Sequence, residues 1–446
     1  MEPIWPTKQI EDVSEKVGMG PFGSSIKVDT FVAEGVPIIS GQHLHGFKLD
    51  DSVGYNHITV QHAEKLKGAI VHRGDVVFTH AGNIGQVSLI PENSYYENYI
   101  LSQRQFFLRC DPQKSDPEYI VAYFKSPEGR HKLLANTSQV GVPSISKPVT
   151  YLRSLEIPLP PLPEQRRIAH ILGTLDDKIE NNRKTAKTLE ATAQAIFKSW
   201  FVDFDPVRAK MAGESRESIC KRLKITPEIL DLFPDRLVDS ELGEIPEGWL
   251  IGNLGNIAKN VRRTITPSSI DQNTAYIALE HMPRQSVALH EWDIADSVES
   301  NKFYFRKGEI LFGKLRPYFH KVGIASTDGI CSTDILVIIP KSTEWLGFSL
   351  GHISSKKLIA YANSGSTGTR MPRTNWNELA KYMVVIPTEQ LARKLNEIIQ
   401  TQIEQIIYIT HVNRSLKTLR NALLPKLISG EIRVSDAQWM LEEALP

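Results

Sequence analysis

The longest regular pattern of apolar residues in the chain runs from Glu164 to Trp200. It follows a proline-rich segment, residues 157–163, and no further proline occurs before Pro206. Apolar residues recur in alternating steps of four and three, and Asn182 fills the one position that the repeat skips. The repeat consists of Ile168, Leu172, Leu175, Ile179, Ala186, Leu189, Ala193, Ile196 and Trp200. This pattern predicts a helix of roughly 55 Å with one apolar stripe, which a partner helix must cover.

A second stretch with the same repeat, residues 391–427, supplies that partner. Its apolar positions are Leu395, Ile399, Ile406, Ile409, Leu416, Leu423 and Leu427. Gln402, Asn413 and Arg420 interrupt the repeat, and polar groups in a helix seam often fix register and pairing. Charged residues of the first stretch, such as Asp176, fall on its other faces. We therefore expect the two helices to form a coiled coil; two amphipathic helices packed on separate cores are the alternative.

The rest of the chain has the pattern of short strands and turns, and this pattern occurs twice. The matching segments are 73–78 and 307–312, 102–106 and 332–336, and 138–147 and 364–373. The two copies of each segment are about 230 residues apart, and each half is followed by its long helix. A repeat of this size indicates a tandem duplication with an approximate two-fold arrangement.

These elements predict an α+β protein of six segments. The segments are two strand-rich domains (1–160 and 246–387), two long helices (161–205 and 388–430), a connector (206–245) and a C-terminal tail (431–446). Short helices are expected from Tyr119 and, in the connector, from Thr226, because Thr226 is a capping residue followed by proline.

Composition places limits on the partners of this protein. The chain has 446 residues, with 52 Lys and Arg against 51 Asp and Glu, a net charge of +1. Any nucleic-acid site must therefore come from local clustering or from a more basic partner. Cys110, Cys220 and Cys331 are far apart, which is typical of reduced thiols in a cytoplasmic protein. No signal peptide and no apolar run of membrane-spanning length is found, so we expect no membrane role.

No set of residues in the sequence could carry out a reaction. Gly18 to Gly23 matches the dinucleotide-binding pattern in letters, but Pro21 interrupts it. Residues 308–315 resemble a phosphate-binding loop, but Leu315 stands where the magnesium-binding Ser or Thr belongs. No metal-ligand spacing occurs. We expect no cofactor, no metal and no catalytic activity.

Polar and basic residues cluster in loops at matching places of the two halves. In the first half they are Ser24, Ser25, Lys27, Thr79, His80, Asn83, Gln103, Arg104, Ser144, Ser146 and Lys147. In the second half they are Arg262, Arg263, Lys314, Arg316, Tyr318, His320, Thr367, Arg370 and Arg373. Arg and Lys suit phosphate and guanine, and Asn, Gln and Ser suit phosphate oxygens or base edges. As a set they predict a DNA-binding surface; for any single residue, a solvated loop side chain is the alternative.

Several segments together resemble the specificity subunit of type I restriction–modification systems. They are Gly-Pro-Phe-Gly-Ser (20–24), Arg-Gly-Asp-Val-Val-Phe (73–78), the proline run ending in Glu-Gln (155–165), Ile-Pro-Glu-Gly-Trp (245–249), Leu-Arg-Pro-Tyr (315–318) and Lys-Leu-Ile-Ser-Gly-Glu-Ile (426–432). One departure is the second proline run, which is shortened to residues 386–390.

This resemblance implies two target recognition domains, one in each half, which read the two parts of a bipartite, asymmetric DNA sequence. The long helices would pair antiparallel, separate the domains and bind two methyltransferase (modification) subunits. Restriction subunits would join the complex, and methylation, translocation and cleavage would belong to these partners.

We therefore predict a non-catalytic DNA-recognition subunit that acts on double-stranded DNA. Two other functions stay open at this point. A self-sufficient DNA methyltransferase or nuclease would need a cofactor site, and a coiled-coil scaffold protein would leave no sequence-selective footprint.

Overall fold

The computed structural model describes residues 5–23, 25–138, 141–366 and 371–437. The chain forms two compact units. Unit 1 comprises residues 1–180 and 416–446, and unit 2 comprises residues 181–415. Each unit contains one strand-rich domain and a part of each long helix.

Unit 1 combines short strands with helices. They are β1 (Thr7–Gln9), β2 (Ser14–Met19), β3 (Val36–Ile39), β4 (His57–Ile58), β5 (Ile70–His72), β6 (Val76–Thr79), β7 (Val87–Leu89), β8 (Asn98–Leu101), β9 (Gln105–Cys110), β10 (Thr137–Ser138), β11 (Ser144–Ile145) and β12 (Glu156–Pro158). The helices are α1 (Val60–Lys65), α2 (Pro117–Lys125), α3 (Pro127–Leu134), α4 (Pro148–Ser154), the first part of α5 (Leu162–Phe201) and the last part of α13 (Glu389–Ser429).

The core of unit 1 lies on both faces of the sheet β2–β9–β6–β7. Successive side chains of a strand point to opposite faces. Val77 of β6 therefore packs with Tyr99 of the second sheet, β4–β3–β8–β5. Phe78 points the other way, and its ring centre lies 5.2 Å from that of Phe124 of α2.

Unit 2 also combines short strands with helices. Its strands are β13 (Leu237–Val238), β14 (Ile245–Pro246), β15 (Leu250–Asn253), β16 (Ala258–Val261), β17 (Arg263–Ile265), β18 (Ala275–Ile277), β19 (Asp293–Ile294), β20 (Lys302–Phe305), β21 (Ile310–Gly313), β22 (Val322–Ile324), β23 (Gly329–Cys331), β24 (Ile335–Pro340) and β25 (Met383–Ile386). Its helices are α6 (Asp205–Met211), α7 (Arg216–Leu223), α8 (Pro227–Leu230), α9 (Leu254–Ile257), α10 (Leu346–Ile353), α11 (Lys356–Ser364) and α12 (Trp376–Leu379), with the remaining parts of α5 and α13.

The sheets of unit 2 repeat those of unit 1. The sheet β16–β24–β21–β22 has the order of β2–β9–β6–β7, and the parallel pair β18–β23 corresponds to the parallel pair β3–β8. Strand β17 is an additional edge strand beside β20. The predicted internal repeat is thus confirmed at the level of strand order.

In unit 1 the two long helices bury the apolar stripes that the heptad pattern predicts. The buried residues include Ile168, Leu172, Leu175, Ile179, Leu416 and Leu423. The guanidinium of Arg420 on α13 donates a hydrogen bond to the carboxylate of Asp176 on α5. Asp176 lies outside the apolar stripe, as predicted, and the partner helix brings a cation to it.

In unit 2 the same helices bury Leu395, Ile399 and Ile406 together with Ala186, and Leu189 is half-buried. Asn182 Nδ2 donates to Asn413 Oδ1 over 2.8 Å. Residue numbers rise along α5 from 176 to 182 and fall along α13 from 420 to 413 between these two contacts. The helices therefore pair antiparallel, as predicted.

The connector is a folded part of unit 2. Helix α8 begins after Thr226, whose hydroxyl accepts a hydrogen bond from the Ile229 amide, as the capping pattern predicts. Val207 of α6 and Ile219 of α7 pack in the same apolar cluster as Trp200 of α5. Among the described residues no helix combines the length and apolar character that a membrane span requires.

Candidate nucleic-acid interface

In unit 1, three loops meet at one end of the central sheet: residues 80–85, 102–104 and 141–147. The His80 amide donates to the Arg104 carbonyl over 2.9 Å, and the His80 carbonyl accepts from Ile145 over 2.8 Å. The Gly82 amide donates to the Pro143 carbonyl over 3.1 Å. These backbone bonds join the three segments, which we call the edge loops of unit 1.

Unit 2 builds its edge loops, residues 314–320, 332–334 and 371–374, with the same bonds. The Lys314 amide donates to the Asp334 carbonyl over 2.9 Å, and the Lys314 carbonyl accepts from Thr374 over 3.0 Å. The Arg316 amide donates to the Pro372 carbonyl over 2.8 Å. An isolated β-bridge follows in each case, Ala81 with Ser144 and Leu315 with Arg373.

The shared backbone defines which side chains occupy equivalent positions in the two units. The equivalent pairs are His80 and Lys314, Gly82 and Arg316, Arg104 and Asp334, and Ser144 and Arg373. The predicted match of 102–106 with 332–336 agrees with these pairs. The predicted match of 138–147 with 364–373 was three residues out of register, because it paired Arg373 with Lys147 instead of Ser144.

The edge loops of unit 1 carry most of the polar residues predicted for the first half. Asn83, Gln103, Arg104, Ser146 and Lys147 are exposed. Ser144 is half-buried, and Thr79 is buried with its hydroxyl 3.2 Å from Gln86 Oε1. Thr79 therefore supports the loop from below and is not on its surface.

The segment containing Ser25 and Lys27 lies beside these loops. Gln103 Nε2 donates to the Gly23 carbonyl and, over 3.4 Å, to the Ile26 carbonyl. Glycine is required at Gly20, since a Cβ there would lie 1.9 Å from the Ser102 carbonyl oxygen. The segment with the predicted residues Ser25 and Lys27 is thus held against the edge loops of unit 1.

In unit 2 one carboxylate faces two of the predicted cations. Asp334 Oδ1 lies 3.5 Å from Arg373 Nε and 4.0 Å from Lys314 Nζ. Arg316, whose backbone is left-handed with φ of 50°, holds its guanidinium 5.9 Å from the centre of the Phe319 ring. Tyr318, beside Phe319, is 49% exposed. This arrangement presents an aromatic ring beside cations that suit DNA.

Arg263 is not part of this cluster. It forms a bidentate pair with Glu309, 2.7 and 2.8 Å, at the start of β21, whereas the edge loops begin at the end of that strand. Arg109 and the buried Asp75 make the same bidentate pair in unit 1. Arg262 is exposed where the chain passes from β16 to β17. Arg263 therefore lies away from the edge loops of unit 2, paired with a carboxylate distant in sequence, and its contact with DNA stays a prediction.

The two predicted histidines act as hydrogen-bonding groups inside the loops. The ring Nε2 of His80 lies 3.0 Å from the Gln103 carbonyl, and that of His320 lies 2.9 Å from the Ser354 carbonyl. Burial lowers the pKa of both rings below the usual value. Both are therefore neutral near pH 7 and add no positive charge to the surface.

Three further exposed residues lie in or beside the edge loops and were not among the predicted ones. Val142 and Met371 are exposed at equivalent positions, directly before Pro143 and Pro372. Apolar side chains at such places can contact the thymine methyl group in the major groove. Arg284 holds its guanidinium 4.0 Å from the centre of the Phe319 ring. The shared proline could have revealed the first two, whereas Arg284 has no local sequence signal.

Three predicted residues, Ser24, Thr367 and Arg370, lie outside the described part of the chain. Within the described part, no group of three or more His, Cys, Asp or Glu side chains is arranged to hold a metal ion.

Comparisons with known proteins agree with this architecture. The family model described as "Type I restriction modification DNA specificity domain" matches residues 4–191. The chain is 24% identical over 453 residues to the type I restriction enzyme MjaIX specificity subunit of Methanocaldococcus jannaschii, covering 97% of this chain and 94% of that protein. It is 25% identical over 424 residues to the HindI specificity subunit of Haemophilus influenzae, covering 84% and 91%.

The same fold occurs in a solved structure, the S subunit of a type I restriction–modification system from M. genitalium. The two share a TM-score of 0.56 at 16% sequence identity, with 96% of each chain covered. The internal repeat, the paired long helices and these comparisons make the chain similar, over nearly its whole length, to type I restriction–modification specificity subunits.

Proposed function

We propose that this chain is the DNA-recognition subunit of a type I restriction–modification complex. It binds a bipartite, asymmetric DNA target and directs partner methyltransferase and restriction subunits to it. The chain is not itself an enzyme. The proposed complex contains two methyltransferase subunits, one for each half of the duplicated chain, and is located in the cytoplasm.

The observation that carries this proposal is the repeated set of edge loops. Both units form the same backbone bonds, yet the side chains at equivalent positions differ in charge, as with Arg104 and Asp334. Direct reading of DNA depends on side-chain donors and acceptors at base edges. Two sets of edge loops with the same backbone and different side chains therefore suit a DNA target whose two halves have different sequences.

The near-neutral charge of the chain fits a complex in which several subunits bind the DNA together. A net charge of +1 gives little general attraction to the phosphate backbone. We expect the partner subunits to contribute phosphate contacts, while the edge loops contribute contacts to base edges. The free thiols of Cys110, Cys220 and Cys331 agree with a reducing compartment.

The direct test is to express the chain with its methyltransferase subunits and sequence the methylated sites. The expected result is one bipartite sequence with unlike halves. Methylation without any shared sequence, or an unchanged target after this chain is replaced by a relative, would contradict the proposal.

The edge loops of unit 2 are tested by Arg316→Ala and Lys314→Ala in the same complex. Arg316→Ala should weaken cognate binding by about 1–3 kcal/mol. Lys314→Ala should have the smaller effect, since Asp334 already offsets part of its charge. Lys259→Ala removes an exposed cation from β16, where Lys259 pairs with Ile339 away from the edge loops. If Arg316→Ala and Lys259→Ala bind the cognate DNA with equal affinity at several salt concentrations, this loop is not part of the DNA interface.

A further inference from the structure

Glu190 is a buried carboxylate on the long helix α5. It is only 6% exposed, whereas its neighbours Lys187 and Thr188 are exposed. Buried carboxylates are costly unless several donors satisfy them. The heptad pattern gives no place to an acid here, because it assigns the inner position to Leu189. A specific set of partners must therefore account for Glu190.

Those partners come from a loop of the strand-rich domain in unit 2. Glu190 Oε1 accepts a hydrogen bond from Ser286 Oγ over 2.8 Å and from the Ala288 amide over 2.9 Å. Burial raises the pKa of Glu190, while the bonds from Ser286 and from the backbone of residues 287 and 288 oppose that rise. The carboxylate thus ties residues 286–288 to the helix.

The residues just before the tied loop contact the edge loops of unit 2 directly. The Gln285 amide donates to the His320 carbonyl over 2.9 Å, and Gln285 itself has a left-handed backbone with φ of 55°. The preceding residue, Arg284, lies over the Phe319 ring. A displacement of residues 286–288 would therefore move Arg284 and remove a support of the loop that carries Arg316.

A second tie reaches the same loop from the other long helix. The His320 ring lies 2.9 Å from the Ser354 carbonyl, just after the end of α10. At the start of α10, the Gly347 amide donates to Asn396 Oδ1 of α13 over 3.0 Å. His320 is therefore supported from α5 through its carbonyl and from α13 through its ring.

Unit 1 ties the equivalent loop in a weaker way. The β-bridges of Lys48 with Leu89 and of Ala288 with Ile324 identify the two loops as equivalent. Lys48 Nζ pairs with Asp177 of α5 over 2.7 Å, but the two side chains are 31% and 52% exposed. An exposed ion pair contributes little and is screened by salt. Among the described residues, the buried tie between these equivalent loops and α5 occurs in unit 2.

We propose that Glu190 is a positioning residue for DNA recognition by unit 2: by anchoring residues 286–288 it sets the placement of Arg284 and Arg316 at the DNA. Glu190 itself contacts no DNA in this proposal. The inference rests on the proposed function, since it assumes that the edge loops contact DNA.

The test measures DNA binding by the complex with its methyltransferase subunits. The variants are Glu190→Ala, Glu190→Gln and Ser286→Ala, with Lys48→Ala as the matched variant of unit 1. The duplexes are the cognate site and two sites in which one half or the other is scrambled. Glu190→Ala should lose about tenfold or more of its discrimination at the half-site that Arg316→Ala also affects. Discrimination at the other half-site should stay within about threefold of the unaltered protein.

Glu190→Gln keeps an acceptor oxygen for Ser286 and Ala288, so it should restore most of the lost discrimination. Ser286→Ala removes one donor while the amide bond stays, and should give a loss between those of the unaltered protein and Glu190→Ala. If Glu190→Ala unfolds, Ser286→Ala is compared with Lys48→Ala instead. Ser286→Ala should reduce discrimination at the half-site that Arg316→Ala affects, and Lys48→Ala, which breaks an exposed ion pair, should have little effect. An equal loss at both half-sites, or no loss in Ser286→Ala and Glu190→Ala, would overturn the inference. Absence of sequence-selective binding by the unaltered complex would instead contradict the proposed function.

Discussion

At the scale of single residues, unit 2 buries a histidine that cannot easily accept a proton. The ring centre of His352 lies 4.9 Å from that of Phe197 and 4.7 Å from that of Phe348. Burial is the main cause and the charge of Lys357 the second, and together they lower the pKa of His352 to about 3. Its neutral ring fills the contact between α10 and α5, and a proton there would place a charge in an apolar core.

This histidine predicts a loss of stability in acid. In the unfolded chain His352 binds a proton at its ordinary pKa of 6.5, whereas in the folded chain its pKa is about 3. Stability is therefore complete above pH 6.5 and falls as the pH drops between these values, by up to about 1.4 kcal/mol per pH unit for one proton. His352→Leu should flatten this dependence, measured as denaturant midpoints from pH 7.5 to 4.5.

The control for that measurement is His131→Ala, which removes an exposed histidine from α3. It should leave the pH dependence as in the unaltered protein. If His352→Leu and His131→Ala give the same slope, the acid sensitivity does not come from His352.

At the scale of elements, the two long helices combine apolar contacts with a few polar pairs. The Asn182–Asn413 bond lies at a seam position, where a leucine pair would bury more apolar surface. Polar pairs in helix seams fix register at a cost in stability. This pair therefore favours one alignment of α5 and α13 over alignments shifted by a heptad.

Variants of the pair should separate stability from register. Asn182→Ala removes the hydrogen bond and should lower the free energy of unfolding by about 1 kcal/mol. The double variant Asn182→Leu, Asn413→Leu should be at least as stable as the unaltered protein, since both polar groups are replaced together. Urea unfolding measures both effects, with the exposed Lys184→Ala as control. If Asn182→Ala is as stable as the unaltered protein, the Asn182–Asn413 pair contributes nothing measurable to the free energy of unfolding.

At the scale of the whole molecule, the chain is an internal repeat, with a long helix after each strand-rich domain. Helices α5 and α13 each have residues in both units. If each unit contacts one half of the DNA target, helix length becomes a measure of the spacing between the halves. Reading two half-sites from one face of DNA favours centres about one helical turn, ~34 Å, apart.

Inserting two heptads at matched places, after Ile179 in α5 and before Leu416 in α13, tests this dependence. Fourteen residues keep the seam in phase and add roughly 21 Å of helix. At about 3.4 Å per base pair the spacer in the methylated sequence should lengthen by about six base pairs. An unchanged spacer would show that helix length does not set the spacing, and a single-helix insertion is the control for disrupted pairing.

The long helices, the internal repeat and the general position of the polar loops could be predicted from the amino-acid sequence. Heptad spacing and strand alternation are local patterns, because each follows from which side of a helix or strand a residue occupies. The bounds Leu162–Phe201 and Glu389–Ser429 agree with that pattern to within a few residues. The repeated Gly-acid-strand segments likewise predicted a buried strand in each half, and these are the inner strands β6 and β21.

Which charged side chains form ion pairs or buried hydrogen bonds depends on long-range packing. Asp334 faces Lys314, Glu309 binds Arg263, and Glu190 holds Ser286, at separations of 20, 46 and 96 residues along the chain. Side chains that far apart meet only after strands and helices pack, and the electrostatic state of each depends on that meeting. The sequence therefore located the candidate surface, and packing determined which of its residues are presented and what holds them in place.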